Sequence, residues 1–239
     1  MQYFEVTLPS IAENLALDEA LLEEAQASPN GTESLRIWRA DSPFVVLGRS
    51  SRVATEVQQE FAEQNAIPVF RRVSGGATVV AGPGCMFYAV VLSLEQRPHL
   101  RMIDHAHQFV MSQMKSALQT LVPQLEFDGT CDLVVSGRKV SGNSVRLIRD
   151  WMLYHGTLLL DMDLTLVDRL LSHPPREPEY RGGRAHADFL ANLHIPYQTA
   201  ASALYSNWPI ASKVNPLPLA RIESLVSDKY SQDSWNLAR

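Results

Sequence analysis

The chain has 239 residues, of which 46% are hydrophobic and 20% charged, and its formal net charge is −5. This length and composition suit one main hydrophobic core and exclude a disordered chain. The acidic balance argues against broad binding to nucleic acid or to an anionic membrane surface.

No apolar run approaches the roughly 18 residues that span a bilayer. The start Met1-Gln2-Tyr3-Phe4-Glu5-Val6 lacks the basic and apolar regions of a signal peptide, so retention in the cytoplasm is the expectation. Two cysteines, Cys85 and Cys131, have no metal-ligand spacing, and no structural disulfide is expected in a reducing compartment.

Ser10-Ile11-Ala12-Glu13 has the form of a capping box. Leu15, Leu21, Leu22 and Ala25 follow near helical spacing up to the breaker Ser28-Pro29-Asn30-Gly31, which predicts a first helix. Strands are predicted over 35–38 and 44–48, on either side of the turn-rich Ala40-Asp41-Ser42-Pro43. Val57 and Phe61, four apart, predict a short helix over 56–65, and a strand over 69–72 ends at Ser74-Gly75-Gly76. The unbroken apolar run 85–92 reads as a buried strand, because its members are β-branched and aromatic.

The longest helix is predicted over 103–121, with Phe109, Val110, Met114, Ala117, Leu118 and Leu121 on its apolar face. Strands return over 132–135, 139–147 and 152–160. Helices interleaved with mostly antiparallel hairpins predict an α+β fold with a mixed, largely antiparallel sheet and flanking helices. Beyond Asp163 a helix over 164–171 stops at Pro174-Pro175-Arg176-Glu177-Pro178. Further helical stretches are predicted over 186–193 and 217–230, the tail from Ser212 reading as an appended helix.

The chemistry concentrates in three segments. Residues 137–149 gather Arg138, Lys139, Arg146 and Arg149 without an acid, and Lys139 is one of only four lysines. Ser141-Gly142-Asn143-Ser144 beside it is poor strand material by propensity, which favours ligand contact over a merely solvated hairpin. Arg71-Arg72-Val73-Ser74-Gly75-Gly76-Ala77-Thr78 joins two guanidinium groups to a glycine turn that could grip phosphate or carboxylate oxygens; a tight hairpin would require the same glycines. His155-Gly156 sits inside the apolar run 151–160, where a lone histidine is more often a core residue than a catalyst, so it is given no general-base role.

In order and spacing, Arg71-Arg72-x-Ser74-Gly75-Gly76, Asp132-Leu133-Val134-Val135-x-Gly137-Arg138-Lys139-Val140-Ser141-Gly142-Asn143 and His155-Gly156-Thr157-Leu158-Leu159 resemble the lipoate–protein ligase A branch of the biotin/lipoate ligase superfamily. Glu179-Tyr180-Arg181-x-Gly183-Arg184-x-His186-x-x-Phe189-Leu190 looks like a pattern of the same relatives. The resemblance implies a class II synthetase/biotin-ligase-like acyltransferase core over residues 1–193, with 194–239 as a C-terminal helical extension packed on it. It also implies lipoate or octanoate as substrate, activated with ATP and Mg to an acyl-adenylate. The acyl group then passes to a lysine of a lipoyl carrier domain, in a 2-oxoacid dehydrogenase or the glycine cleavage H protein.

Lys139 matches the family lysine that meets the activated carbonyl and phosphate, where a fixed cation stabilises developing negative charge. Arg72, Ser74, Gly75 and Gly76 match the loop along the acyl-adenylate, with Ala77 next to them in the same binding set, and Asp132 matches an acidic residue near nucleotide and magnesium. Gly142 and Ser144 line the strand beside the lysine, and His155, Gly156 and Thr157 complete the binding set. Val79, Leu133 and Leu158 are candidates either for walls of an acyl tunnel or for ordinary core.

The chain departs from that pattern at Ala77, Ala81 and Cys85, where the family commonly has glycine, histidine and asparagine, and at Cys131, where an asparagine usually precedes the aspartate. Full-length ligases of the family often add a C-terminal accessory domain that assists adenylation, and about 45 residues follow Leu193 here. An alternative from the same superfamily is an ATP-independent octanoyltransferase or lipoyl amidotransferase that forms a cysteine thioester, with Cys131 as nucleophile beside a cation. Cys85 is the weaker candidate, and a non-catalytic acyl-binding relative or a biotin-directed enzyme is the third reading.

Overall fold

A computed structural model describes residues 1–212 and 216–239; part of the appended tail expected from Ser212 therefore lies outside the described residues. The strands are β1 (Gln2–Glu5), β2 (Ser34–Trp38), β3 (Phe44–Leu47), β4 (Val69–Arg71), β5 (Val79–Ala81), β6 (Cys85–Ser93), β7 (Leu125–Asp128), β8 (Asp132–Val135), β9 (Arg138–Ile148) and β10 (Trp151–Leu159). The helices are α1 (Ile11–Ala27), α2 (Val53–Glu56), α3 (Gln59–Gln64), α4 (Ile103–Leu118), α5 (Thr165–Leu170), α6 (His186–Phe189), α7 (Tyr197–Asn207), α8 (Leu219–Leu225) and α9 (Asp233–Asn236).

Seven strands form one sheet in the order β1-β2-β6-β10-β9-β8-β7, and three form a second in the order β4-β3-β5. Only β1–β2 and β3–β4 pair in parallel. The remaining pairs are antiparallel, so the mixed, largely antiparallel α+β fold is as expected.

The unbroken apolar sequence of β6 follows from burial on both faces. Met86, Tyr88, Val90 and Leu92 enter the core under α4 and α7, whereas Ala89 and Val91 enter the core under α1 and α8. β10 alternates likewise, with Met152, Tyr154 and Leu158 on the first side and Trp151 and Leu153 on the second. α1 starts at the expected capping box, Ser10 and Glu13 each accepting from the other's backbone amide.

Several boundaries differ from the sequence reading for local reasons. The helix expected over 56–65 splits into α2 and α3, because Val57 is extended and bridges Leu171. The helix expected over 186–193 is the single turn α6; Leu190 is extended and bridges Lys139, and the Ala191 amide donates to the Lys139 carbonyl at 2.9 Å. β1, β5, β7 and α7 lie outside the sequence expectation. α7 buries Ala200, Ala201 and Leu204 in the same core as α4. Among the described residues no helix is long and apolar enough to cross a membrane.

Candidate active site

One cavity brings together residues that are far apart in sequence. Lys139, Gly142, Ser144, His155, Gly156 and Thr157 enter from the β9–β10 hairpin, and Arg72, Gly76 and Ala77 enter from the loop between β4 and β5. The hairpin register sets Gly142 opposite Thr157, Asn143 opposite Gly156 and Ser144 opposite His155. The small residues follow from this close packing. A Cβ on Gly142 would stand 3.3 Å from Lys139 Cε, and one on Gly156 would stand 1.9 Å from Asn143 Oδ1.

Gly156 therefore leaves room for the Asn143 carboxamide. That group donates from Nδ2 to the Cys131 carbonyl at 2.6 Å and to Ser141 Oγ at 3.0 Å, and its oxygen accepts from the Tyr88 hydroxyl. The hub ties β6, β9 and the approach to β8 together beneath the cavity.

Lys139 Nζ lies 2.8 Å from Asp132 Oδ1, the two side chains being 23% and 7% exposed. The second Asp132 oxygen accepts from the Tyr180 hydroxyl at 2.8 Å. Burial, reinforced by the Asp132 carboxylate, pushes the Tyr180 phenol far above its ordinary value, so it stays a donor. Lys139 is thus held by one carboxylate, and that carboxylate by a residue of the segment after α5.

Both arginines are engaged by groups of the protein itself, and Arg72 also lines the cavity. Arg72 donates from Nη2 to the Gly75 and Ala77 carbonyls at 2.5 and 3.0 Å, from Nη1 to Val46 O at 3.3 Å, and from Nε to Ser74 Oγ at 3.2 Å. Burial pulls its guanidinium down to about 10, opposed by Cys131 and Glu56. Its role is to shape the loop, in which Gly76 has φ +87°, and Ser144 Oγ holds the same loop by donating to Gly75 O at 2.9 Å. Arg71 points away from the cavity and caps the carbonyls of Gly48, Arg49 and Ser51.

His155 is neither free nor a plain core residue. Nε2 is 2.5 Å from Ser74 Oγ, and Nδ1 faces Asp18 Oδ2 at 3.7 Å, while Asp18 pairs through its other oxygen with the buried Arg36 at 2.5 Å. The types are those of a serine triad, but Ser74 is only 1% exposed and already accepts from Arg72, so no nucleophile is presented to the cavity. The chain of bonds fixes His155 in the wall.

Val79 lines the cavity, whereas Leu133 and Leu158 are fully buried in the main core on the α4 side. Residues absent from the sequence expectation complete the walls. Trp38 and Phe87 stack with ring centroids 3.9 Å apart and form an apolar end. Glu56 accepts from Thr78 Oγ1 at 2.6 Å and from the Arg52 amide at 2.9 Å. Burial alone would raise its carboxyl, but hydrogen bonds from Thr78, Arg52 and Ser51 outweigh that and hold it below the usual value. Arg181, seen in the sequence only as part of a pattern, lines the cavity with its guanidinium carbon 4.7 Å above the Phe189 ring, and its buried Nη2 has no hydrogen-bond partner among the described residues.

Cys131 is poorly placed for nucleophilic work. Its Sγ contacts the Asn143 carbonyl at 3.2 Å, and burial, with the charge of Asp132, pushes the thiol up to about 11 despite Lys139 and Arg72 nearby. Cys85 is buried against Met162 Sδ at 3.3 Å, and burial raises it to about 12. Among the described residues no cluster of three histidine, cysteine or acidic side chains could hold a metal.

The mixed sheet and its flanking helices have the fold of solved lipoate–protein ligases. Superposition on a chain from a structural study of a bipartite lipoate protein ligase and its E2 lipoyl domain from Thermoplasma acidophilum has a TM-score of 0.83 at 19% identity and covers 99% of this chain and 95% of that one. The chain belongs to the lipoyl protein ligase A/B catalytic domain family, whose model matches residues 10–199. It is 26% identical to lipoate–protein ligase 1 of Staphylococcus aureus over 98% of this chain and 71% of the relative. It is also 24% identical to the octanoyltransferase LipM of Brevibacillus brevis over 100% of this chain and 99% of the relative.

Proposed function

We propose that this enzyme activates lipoate or octanoate as an acyl-adenylate and transfers the acyl group to a lysine of a lipoyl carrier domain. Lys139 held by Asp132 in the wall of a cavity that also carries Trp38, Phe87 and the glycine-loop residues Gly76 and Ala77 is the observation that carries the reading. In the first step an acyl carboxylate oxygen attacks the α-phosphorus of ATP and pyrophosphate leaves. In the second, the carrier amine attacks the acyl carbonyl and AMP leaves with the electron pair of the broken C–O bond.

Negative charge grows on phosphoryl and then carbonyl oxygens, and Lys139 supplies the fixed cation for both. Gly75, Gly76 and Ala77 lie along the acyl-adenylate, Gly142 and Ser144 border it, and His155 and Thr157 form its wall. Asp132 steadies Lys139 and is, among the described residues, the carboxylate paired with it. One carboxylate is enough for a magnesium ion whose other ligands are phosphate oxygens and water. We assign residues 1–193 to the catalytic unit and 194–239 to a helical extension packed on it, and we place the enzyme in the cytoplasm. The acceptors in this reading are 2-oxoacid dehydrogenase domains and the glycine cleavage H protein.

The thioester route of an octanoyltransferase has only Cys131 and Cys85 to use, and burial disfavours the thiolate of both. Incubation with lipoate or octanoate, ATP, magnesium and an apo-lipoyl domain tests the choice. AMP release with a mass gain on the acceptor is the expected result. Transfer only from octanoyl-acyl carrier protein, without ATP and lost in Cys131→Ser, would overturn it in favour of the thioester enzyme.

A further inference from the structure

We infer that Trp235 and Asn236 are positioning residues for the glycine loop, so that docking of the C-terminal segment and occupancy of the loop are linked; this rests on the adenylate-loop reading above. β4 is an edge strand, paired only with β3. The two side chains satisfy the open edge at Arg71 as a neighbouring strand would: Asn236 Oδ1 accepts from the Arg71 amide at 3.0 Å, and Trp235 Nε1 donates to the Arg71 carbonyl at 2.9 Å. Arg71 returns the contact by donating from Nε to Trp235 O at 3.0 Å.

The Arg71 guanidinium carries this contact inward. Its Nη1 reaches the carbonyls of Gly48 at 2.9 Å and Ser51 at 2.8 Å, and the 48–51 segment presses on the glycine loop. The Arg49 amide donates to Ser74 O at 2.9 Å, and Gly48 lies so near Gly76 that a Cβ on it would stand 1.9 Å from Gly76 O. The next residue, Arg72, holds Gly75 and Ala77 from within.

At its other end the segment is anchored to α1. Asn236 Nδ2 donates to Tyr230 O at 2.9 Å, and the Tyr230 hydroxyl donates to Glu19 at 2.8 Å. Lys229 Nζ lies 2.7 Å from Glu19 Oε1 and 4.3 Å from the centroid of the Trp235 ring. Glu19 follows Asp18, which faces His155, and His155 faces Ser74 of the loop. The contacts therefore close a ring from α1 through the tail, β4 and the 48–51 segment to the glycine loop and back. A ligand that orders one arc of such a ring lowers the cost of ordering the rest, and the effect is reciprocal.

The test uses the full chain, with a non-hydrolysable acyl-sulfamoyl adenosine as probe. Hydrogen exchange at the amides of Arg71 and of residues 233–237 is expected to slow when the probe binds. Trp235→Phe removes the indole donor while keeping an aromatic ring over Lys229, and Asn236→Ala removes the carboxamide. Each is expected to weaken probe binding about three- to tenfold, the worth of one such hydrogen bond.

Unchanged probe affinity in both variants, or unchanged tail exchange in a wild-type protein that binds the probe, overturns the linkage. If the wild type does not bind the probe, the adenylate reading fails separately. The linkage is then read without ligand, from the exchange of the Gly75, Gly76 and Ala77 amides. Faster exchange in the folded Trp235→Phe variant supports it, and equal exchange overturns it.

Discussion

Replacing Lys139 by methionine keeps a side chain of similar length and removes the charge at the centre of the site. Lys139 Nζ stands 2.8 Å from Asp132 Oδ1, with 23% and 7% of the side chains exposed. Breaking a fully buried pair costs about 3–5 kcal/mol. Water at Lys139 and the remaining Tyr180 donor reduce the expected cost here to about 1–2 kcal/mol. For a chain of this length that is a fall in Tm of roughly 2–8 °C.

The catalytic loss is larger. Removing one positioned group from developing negative charge costs about 2.7–4 kcal/mol, a factor of about 10²–10³ in rate. The assay is the mass gain of an apo-lipoyl domain with lipoate and ATP, set beside a thermal melt. Adding Asp132→Asn to Lys139→Met removes the orphaned carboxylate, so Tm is expected to recover while transfer does not. Transfer by Lys139→Met within about tenfold of wild type, well short of the loss of such a group, would refute the reasoning, as would recovery of activity in the double variant.

Cys131→Ser is expected to leave ATP-dependent transfer within about twofold of wild type, since the hydroxyl retains a weak donor toward the Asn143 carbonyl; loss of all transfer would show a thiol mechanism. Arg181→Met is expected to raise the KM for ATP more than that for lipoate, because Arg181 lines the same cavity as Lys139 and its cation is the group removed; steady-state kinetics in both substrates check this. Gly156→Ala drives a Cβ to 1.9 Å from Asn143 Oδ1, and a loss of about 2–4 kcal/mol in urea unfolding is expected as the hub is displaced. Burial holds His107 below the ordinary histidine value of 6.5, against the pull of Asp104 and Asp132. The unfolded chain therefore binds more protons in acid, so this contribution is complete above 6.5 and is lost as pH falls below it. Tm measured from pH 8 to 5 is expected to fall less steeply in His107→Gln.

What the sequence made legible depended on how local its cause was. The unbroken run of β6 and the capping box of α1 follow from neighbours in the chain, and both elements form where expected. Lys139 and the small residues near it stood out because close strand packing leaves room for nothing larger, and the structure places them together on one cavity. The partners of Arg71 and Arg72 could not be read in the same way. Their guanidinium groups are engaged by carbonyls of Val46, Gly48 and Ser51 and by Trp235, and residue type alone does not tell such a clamp from a phosphate grip. The same applies to α6, where a helical pattern stops after one turn because Leu190 finds a bridge to Lys139. It applies also to Leu133 and Leu158, whose apolar character suits tunnel and core equally and whose strand register assigns them to the core.

The position of β10 between β6 and β9 has a bearing on the order in which the enzyme acquires its site. β9 and β10 are joined by a short turn, so the hairpin bearing Lys139, Ser144 and His155 closes a small loop and can form early. β6 must find β10 across α4 and three intervening strands, and the glycine loop reaches His155 over a similar span of chain. Such long-range closures are slow, and they come late for a growing polypeptide. Where the hairpin forms first, Lys139 is in place before the cavity closes around it, and the cavity is complete only once the loop between β4 and β5 has met β9 and β10.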